Sequence, residues 1–244
     1  IASCLVGSEM CIRDSLIPSP IHWIYRMGYK NDSLLFSRTR LEHTSLGQKT
    51  QFMKAYITEL NEKFEHKNLA ESFAALQNES FKSLSFSTSF GQEDQVITDF
   101  ILRNALPVNI FTLDTGRLFN ATHQVQEATE KKYNTYIDTY FPESNAVEAY
   151  VAKNGINGFY QSVEQRKSCC TVRKIKPLQR ALKDVDLWIT GLRSGQSSNR
   201  QQLSLFQYDD AFGLIKFNPL IHWSLEEVVA YLENFEVPQN ALHK

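Results

Sequence analysis

The chain has 244 residues, of which 42% are hydrophobic and 22% charged, and its formal net charge is -1. This length suits one α/β domain with a sizeable core, and the near-neutral charge gives no electrostatic case for nucleic acid or an anionic membrane. No apolar run approaches the roughly 18–20 residues that span a bilayer. Four cysteines without framework spacing argue against a secreted disulfide scaffold and favour a reducing cytoplasm.

The N-terminal stretch, residues 1–50, is left unassigned. It does not begin with Met, and it lacks the cationic segment that precedes the apolar core of a signal peptide. The run from Leu5 to Ser15 resembles a translated sequencing adapter. We therefore expect native coding to begin near Met53 and Cys4 and Cys11 to be extraneous. A natural peptide containing either cysteine would contradict this expectation.

Helices and strands alternate along the rest of the chain. Apolar periodicity predicts helices over 51–77, 95–103, 118–133, 143–153 and 164–183, the last broken near Pro177, and a capping-box helix from Ser224 to about Phe235. It predicts strands over 84–89, 107–113, 135–141 and 185–190, with a short antiparallel pair over 202–208 and 214–217. This alternation predicts a doubly wound, mostly parallel sheet. We divide the assigned part into a helical segment over 51–80 and a main domain over 81–244.

The first polar loop, Ser87–Asp94, joins a predicted strand to a predicted helix. Ligands of open α/β sheets bind at the carboxyl ends of strands, and free backbone N–H groups at a helix start suit a phosphate. The loop lacks the Gly-Lys-Ser/Thr of a Walker A motif. An ordinary polar turn explains this loop equally well.

Two further polar loops also follow predicted strands. In Leu113–Arg117, Asp114 can bind a ribose or an amino group, although helix N-capping by Asp114 or Thr115 is the more common use of such residues. In 191–200, two arginines suit a phosphate or sulfate through forked hydrogen bonds, and a plain solvated loop is the alternative.

The adjacent Cys169 and Cys170 are the most informative residues of the sequence. Neighbouring cysteines do not easily bridge each other, and the surrounding cations are expected to favour thiolate over thiol. The pair therefore predicts a metal or iron–sulfur site that needs further ligands; zinc usually takes spaced pairs. A solvated helix face is the ordinary interpretation of such a charge run. Its cations are Arg166, Lys167, Arg173, Lys174, Lys176, Arg180 and Lys183, against Glu164.

Together the motifs resemble the assimilatory adenylyl-sulfate reductases, thioredoxin-dependent relatives of the phosphoadenylyl-sulfate (PAPS) reductases. The resemblance runs from about Met53 to Lys244. It implies an adenine nucleotide alpha hydrolase-like fold. It also implies an oxidoreductase that uses thioredoxin to reduce adenosine 5′-phosphosulfate (APS) to sulfite and AMP, in cytoplasmic sulfate assimilation and cysteine biosynthesis. The matching stretches are Ser87–Asp94, Leu113–Phe119, Arg166–Leu178 and Trp188–Arg193.

The resemblance also implies roles for individual residues. Cys169 and Cys170 become two of the four ligands of a 4Fe-4S cluster, a pair that marks APS reductases, and Lys174 links cluster and substrate electrostatically. Phe90 stands where ATP pyrophosphatases have a glycine. The implied substrate-binding residues are Ser87, Thr88, Ser89, Phe90, Gly91, Asp94, Leu113, Asp114, Thr115, Gly116, Arg117, Gly191, Arg193 and Arg200.

The sequence departs from the family pattern near its end. The later Cys-x-x-Cys and the nucleophilic cysteine of a Cys-Gly-Leu-His tail are expected beyond Lys244, so this 244-residue chain is expected to bind APS without turning it over. Sulfite release with thioredoxin would overturn that expectation. The alternatives are a PAPS reductase, a non-catalytic nucleotide-binding or metal-sensing module, and an ATP-consuming ligase, which Phe90 disfavours. No nucleic-acid or membrane partner is expected, and homo-oligomer formation is left open.

Overall fold

The computed structural model describes residues 46–196 and 203–243. Two compact units make up the chain. The first contains Ser85–Val185 and the C-terminal stretch from Trp223, and the second contains Asp186–His222 and the stretch that ends at Leu84. Within the described ranges, every helix is too short or too polar to cross a membrane.

The described elements alternate between helix and strand. The helices are α1 (Leu46–Phe64), α2 (Leu69–Leu76), α3 (Gln92–Arg103), α4 (Asn120–Tyr133), α5 (Ser144–Asn154), α6 (Val163–Cys170), α7 (Lys176–Ala181) and α8 (Leu225–Asn234). The strands are β1 (Leu84–Thr88), β2 (Asn109–Leu113), β3 (Asp138–Tyr140), β4 (Leu187–Ile189), β5 (Phe206–Asp209) and β6 (Leu214–Phe217). Short 3-10 turns cover Gly158–Tyr160, Ser194–Gln196 and Ala241–His243, and Thr171–Ile175 forms a π-helical turn.

Three parallel strands form the sheet of the first unit, in the order β3-β2-β1. Thr88 of β1 lies opposite Thr112 of β2, and Leu113 lies opposite Tyr140 of β3. Ile110, Phe111 and Thr112 are all buried, as in a strand that is covered on both faces. The loops that follow β1 and β2 therefore leave the sheet at the same edge.

The second unit contains a parallel pair and an antiparallel pair. Strand β4 runs parallel to β6, and β5 pairs with β6 in the antiparallel sense, which confirms the short pair predicted from sequence. Phe206 stacks on Phe217 at 4.6 Å and meets Phe64 of α1 edge-on at 4.9 Å. The Asn61 amide both donates to and accepts from the Phe206 backbone, at 2.9 Å each, which satisfies the outer side of β5.

The predicted mostly parallel α/β sheet is confirmed, and so is the capping box of Ser224 with Glu227. Two helix predictions were wrong in detail. The helix predicted over 51–77 is divided, because Asn68 forms a capping box that starts α2. The predicted break near Pro177 does not occur there. Pro177 lies in the first turn of α7, where its missing N–H costs little, and the irregularity is the π-helical turn before it.

A buried carboxylate joins three helices of the first unit. Asp99, only 1% exposed on α3, accepts hydrogen bonds from the hydroxyls of Tyr133 at 2.7 Å and Tyr231 at 2.6 Å. Arg103 donates to Asp99 at 3.2 Å and to the Tyr231 hydroxyl at 2.9 Å, and lies over the ring of Phe235. This network fastens α4 and α8 to α3.

The two tyrosines predict an alkaline loss of stability. Burial first, and then the hydrogen bond to Asp99, raises the pKa of Tyr133 and of Tyr231. In the unfolded chain both ionise near pH 10, so their stabilising contribution is present below about pH 10 and is lost as the pH rises further. We expect Tyr133→Phe to reduce the fall in unfolding free energy by up to about 1.4 kcal/mol per pH unit, the effect of one proton.

Urea unfolding from about pH 9 to about pH 11 measures this slope. Tyr136→Phe is the matched control, because Tyr136 is 94% exposed and should leave the slope as in the parent protein. Equal slopes for Tyr133→Phe and the parent would contradict the prediction.

Candidate functional site

In the loop after β1, side chains accept hydrogen bonds from the backbone N–H groups of Ser89 and Phe90. The Ser89 N–H and hydroxyl donate to one carboxylate oxygen of Asp94 at 2.6 and 2.7 Å, and the Phe90 N–H donates to the Thr88 hydroxyl at 3.0 Å. The expectation of free N–H groups was therefore wrong for Ser89 and Phe90, because neighbouring side chains accept from both. Phe90 is buried and holds a left-handed φ of 59°, while Ser87 and Gly91 are half-buried.

The loop after β2 is closed by Asp114 and Thr115. One carboxylate oxygen of Asp114 accepts from the Gly116 N–H at 2.7 Å, and the other lies 2.9 Å from Nε2 of His123. The Thr115 hydroxyl accepts from the Arg117 N–H at 3.2 Å. Helix N-capping by Asp114 or Thr115 is thus ruled out: the N-cap of α4 is Phe119, which makes no side-chain capping bond.

Arg117 connects this loop to the segment before α6. Its guanidinium donates to the Ile156 carbonyl at 3.2 Å and to the Asn157 side chain at 3.0 Å, and it lies 4.7 Å above the ring of Phe159. Gly116 has a φ of +69°, which a residue with a Cβ rarely adopts. Backbone conformation and side-chain contacts therefore both fix the loop.

The two cysteines end α6, and both are buried and free of disulfides. Cys169 packs against Tyr150 and Phe159. Burial raises the pKa of the Cys170 thiol, and Cys169 adds to the effect while Lys174 opposes it. The expectation that nearby cations favour the thiolate was therefore wrong for Cys170, because desolvation outweighs the attraction of the ammonium. Burial likewise lowers the pKa of Lys174, against the pull of the two thiols.

Sequence reasoning missed the contact made by Arg173. This arginine is buried in the π-helical turn, and its Nη1 donates to the Thr115 carbonyl at 2.6 Å. Of the cations in the 164–183 run, only Arg173 and Lys174 are buried, so much of the run is a solvated face. A contact across 58 positions leaves no periodic signal in the sequence; only the place of Arg173 beside the cysteines marks it.

In the second unit, the loop after β4 is anchored at its start. The Thr190 hydroxyl donates to the Asn218 side chain at 2.6 Å, and the Ser194 N–H and hydroxyl donate to the Ile221 carbonyl at 3.0 and 2.9 Å. Gly191 is half-buried and Arg193 buried. Arg200, expected to bind substrate, lies outside the described residues.

The first unit thus brings together most of the predicted residues. The loops 88–94 and 113–117 share one sheet edge, and Arg173 ties the end of α6 to the second loop. Residues 46–196 and 203–243 contain no cluster of three or more His, Cys, Asp or Glu side chains able to hold a metal. The two buried thiols suit a thiophilic metal centre in donor type, as part of a larger ligand set. Cys4 and Cys11 lie outside the described residues.

Asp94 gives a stability prediction. We expect Asp94→Ala to lower the free energy of unfolding by about 2 kcal/mol, because Ser89 loses two hydrogen bonds to a charged acceptor. Asp94→Asn keeps an oxygen acceptor and should lose about half as much. Urea unfolding at neutral pH measures both losses. Glu127→Ala, at an exposed position of α4, is the control; equal losses in the alanine variants would contradict the prediction.

Comparison with known proteins agrees with the motifs. Residues 83–244 match the phosphoadenosine phosphosulfate reductase domain family. The adenosine 5′-phosphosulfate reductase of Sinorhizobium fredii (strain USDA 257) is 47% identical over 194 residues, which cover 80% of this chain and 77% of that protein. The reductase of the same name from Allochromatium vinosum is 48% identical over 161 residues, 66% of this chain and 63% of that protein.

A solved structure supports the same assignment. The phosphoadenylyl-sulfate (PAPS) reductase from Candida auris, determined as a phosphate complex, superimposes with a TM-score of 0.63 at 29% identity, over 77% of this chain and 89% of its own. The fold class implied by the sequence resemblance is thereby confirmed. The chain belongs to the phosphoadenosine phosphosulfate reductase domain family.

Proposed function

We propose that this protein reduces adenosine 5′-phosphosulfate to sulfite and AMP, with reduced thioredoxin as electron donor. The observation that carries the proposal is the 47% identity to a protein named adenosine 5′-phosphosulfate reductase. In the structure, the feature consistent with this function is the buried pair of Cys169 and Cys170. Arg173, three positions after the pair, connects it to the loop after β2. A cytoplasmic location and a role in sulfate assimilation belong to the same proposal.

The substrate is an anion, and buried cations are suited to hold it. Lys174 and Arg193 are each less than a tenth exposed. A charge out of bulk water interacts more strongly with an anionic group, because the local dielectric constant is lower. Lys174, in the first unit, has a supporting role toward this anion. Arg193, in the second unit, is proposed by itself as an anion contact, because its guanidinium fork matches two oxygens.

In this proposal, the loops 88–94 and 113–117 of the first unit supply the uncharged contacts to the substrate. Their conformations are held by Asp94 and Asp114, whose carboxylates accept from loop N–H groups. The backbone around Leu113 and Gly116 is therefore in place before a nucleotide arrives, which reduces the entropy lost on binding. We assign these loops to the adenosine part of the substrate.

The two thiols of reduced thioredoxin balance the overall reaction. Sulfate sulfur in APS gains two electrons, the bond from sulfur to the bridging oxygen breaks, and AMP leaves with that oxygen. Thioredoxin is oxidised from dithiol to disulfide, which supplies the two electrons and releases two protons. Cationic side chains favour the approach of a thiolate, because they offset the negative charge of the phosphosulfate.

We also propose that Cys169 and Cys170 supply two ligands of a 4Fe-4S cluster. Their burial and thiol chemistry suit iron–sulfur ligation, which commonly uses four thiolates. When bound, the cluster would supply a fixed charge near Lys174. Cys169, one of the two residues that would hold the group, packs against Tyr150 and Phe159.

PAPS reduction is the second candidate, because the superimposed Candida auris protein carries that name. Nucleotide titration calorimetry of the 244-residue chain separates the candidates. We expect APS to bind more tightly than PAPS and ATP, and Arg193→Gln to weaken APS binding about tenfold or more through loss of a charge-assisted contact.

Lys183→Gln serves as control, since it removes one exposed positive charge and should bind APS normally. Tighter binding of PAPS than of APS would favour the second candidate. Binding of neither nucleotide would contradict both reductase functions and favour a module without this activity.

The iron–sulfur proposal predicts a loss of iron in cysteine variants. In the natural protein purified without oxygen, we expect equal amounts of iron and sulfide, and less than a tenth of the iron in Cys169→Ser or Cys170→Ser, because a serine hydroxyl is a poor substitute for a thiolate ligand. Iron and sulfide analysis with absorption spectra measures this. Ser168→Ala, at the exposed neighbouring position, is the control. Unchanged iron in both cysteine variants would contradict the assignment.

A further inference from the structure

The contact between Arg173 and the loop after β2 is a long-range link within the first unit. Nη1 of Arg173 lies 2.6 Å from the Thr115 carbonyl oxygen and 3.3 Å from the place that a Cβ on Gly116 would occupy. The guanidinium therefore lies against the backbone of two consecutive loop residues. Both Arg173 and Thr115 are buried, so water competes little for this hydrogen bond.

Two other bonds join the loop to β3 and α4: the Asp114 N–H donates to the Tyr140 carbonyl at 3.0 Å, and the Asp114 carboxylate lies 2.9 Å from Nε2 of His123. The backbone bonds further along the loop act locally. Those from Gly116 to Asp114 and from Arg117 to Thr115 each join residues two positions apart, so they set the shape of the loop but not its place. Arg117 reaches the 156–157 segment through bonds that are exposed to water. Arg173 fixes the loop against the helix that carries the cysteines.

The other end of the link is the cysteine pair. Arg173 follows Cys170 by three positions, in the π-helical turn that continues directly from α6. Cys169 packs against Phe159, whose ring also lies under Arg117. A movement of the loop would therefore be transmitted to the cysteines through Arg173 and through the Phe159 ring, because packed side chains do not deform independently.

We infer that Arg173 is a positioning residue that couples nucleotide binding at the loop 114–117 to the exposure of the Cys169 and Cys170 thiols. The inference deepens the proposed function and rests on it. A nucleotide bound on this preformed loop keeps the loop in contact with Arg173 through Thr115, and so keeps the end of α6 closed over its sulfurs. Loss of the guanidinium leaves a loop that still folds but is no longer fixed to that helix.

The test combines nucleotide binding with thiol labelling of the 244-residue chain. A maleimide labels the thiols with and without saturating APS, and mass spectrometry of peptides separates Cys169 and Cys170 from Cys4 and Cys11. In the parent protein we expect APS to slow labelling of the pair about tenfold. Arg173→Gln should weaken APS binding about tenfold and remove the protection at saturation, and Arg173→Lys should restore part of it.

Arg180→Gln is the matched control. Arg180 lies on α7, is exposed, and bonds to Glu143 and the Phe141 carbonyl, so the change removes the same charge from the same run without touching the loop. It should behave as the parent. Gly116→Ala probes the contact from the loop side, since its Cβ would lie against Nη1 at a positive φ, and should also reduce protection.

The outcomes separate the inference from the function it rests on. Failure of the parent chain to bind APS overturns both. Normal APS binding with equal protection in the parent, Arg173→Gln and Gly116→Ala overturns the inference alone. Loss of protection in Arg180→Gln as large as in Arg173→Gln overturns it too, because total charge would then explain the effect.

Discussion

The parallel pairing of β1 with β2 is the constraint from which the candidate site of the first unit follows. Thr88 and Thr112 lie opposite each other, so the two strands end within a residue of the same level. Each strand must then turn back through a short loop into a helix, α3 or α4. The amides of those loops have left the sheet without yet entering a helix. They need acceptors, and the chemistry of this edge depends on which groups accept from them.

In this protein, side chains accept from four of these amides, and the Asp114 N–H donates to the Tyr140 carbonyl at 3.0 Å. Asp94 and Asp114 each receive loop N–H groups, and Thr88 and Thr115 receive one each. The Phe90 N–H is buried, and an unmet buried amide costs about 1–3 kcal/mol, so its bond to Thr88 helps to hold the first loop in one shape without a ligand. The loop bonds also offset the cost of the left-handed backbone at Phe90, which is of order 1–3 kcal/mol. A carboxylate at the Ser89 amide also leaves little room there for a second anion.

The sequence predicted the places of the loops better than their internal bonds. Strand positions follow from apolar periodicity, and a parallel sheet then fixes which loops share an edge. This is why the loops of Ser89 and Asp114 could be placed at the same edge from sequence. The partners of Asp94, Asp114 and Arg173 depend on loop conformations and on contacts up to 58 positions apart, which periodicity does not encode. The π-helical turn escaped prediction for a similar reason, because residues 171–175 have ordinary helical composition and only Pro177 signalled an irregularity.

The cysteine pair shows how neighbouring residues acquire different environments. Consecutive helical residues point about 100° apart, so Cys169 and Cys170 do not face the same side of α6. Cys169 is enclosed by Tyr150 and Phe159, whereas Cys170 and Lys174 interact electrostatically. Lys174 interacts with both thiols, but Cys169 also packs on two aromatic rings and hydrogen-bonds with the Tyr150 side chain. The two thiolates would hold an iron–sulfur group from these two different environments, and Lys174 would offset part of the negative charge that such a group supplies.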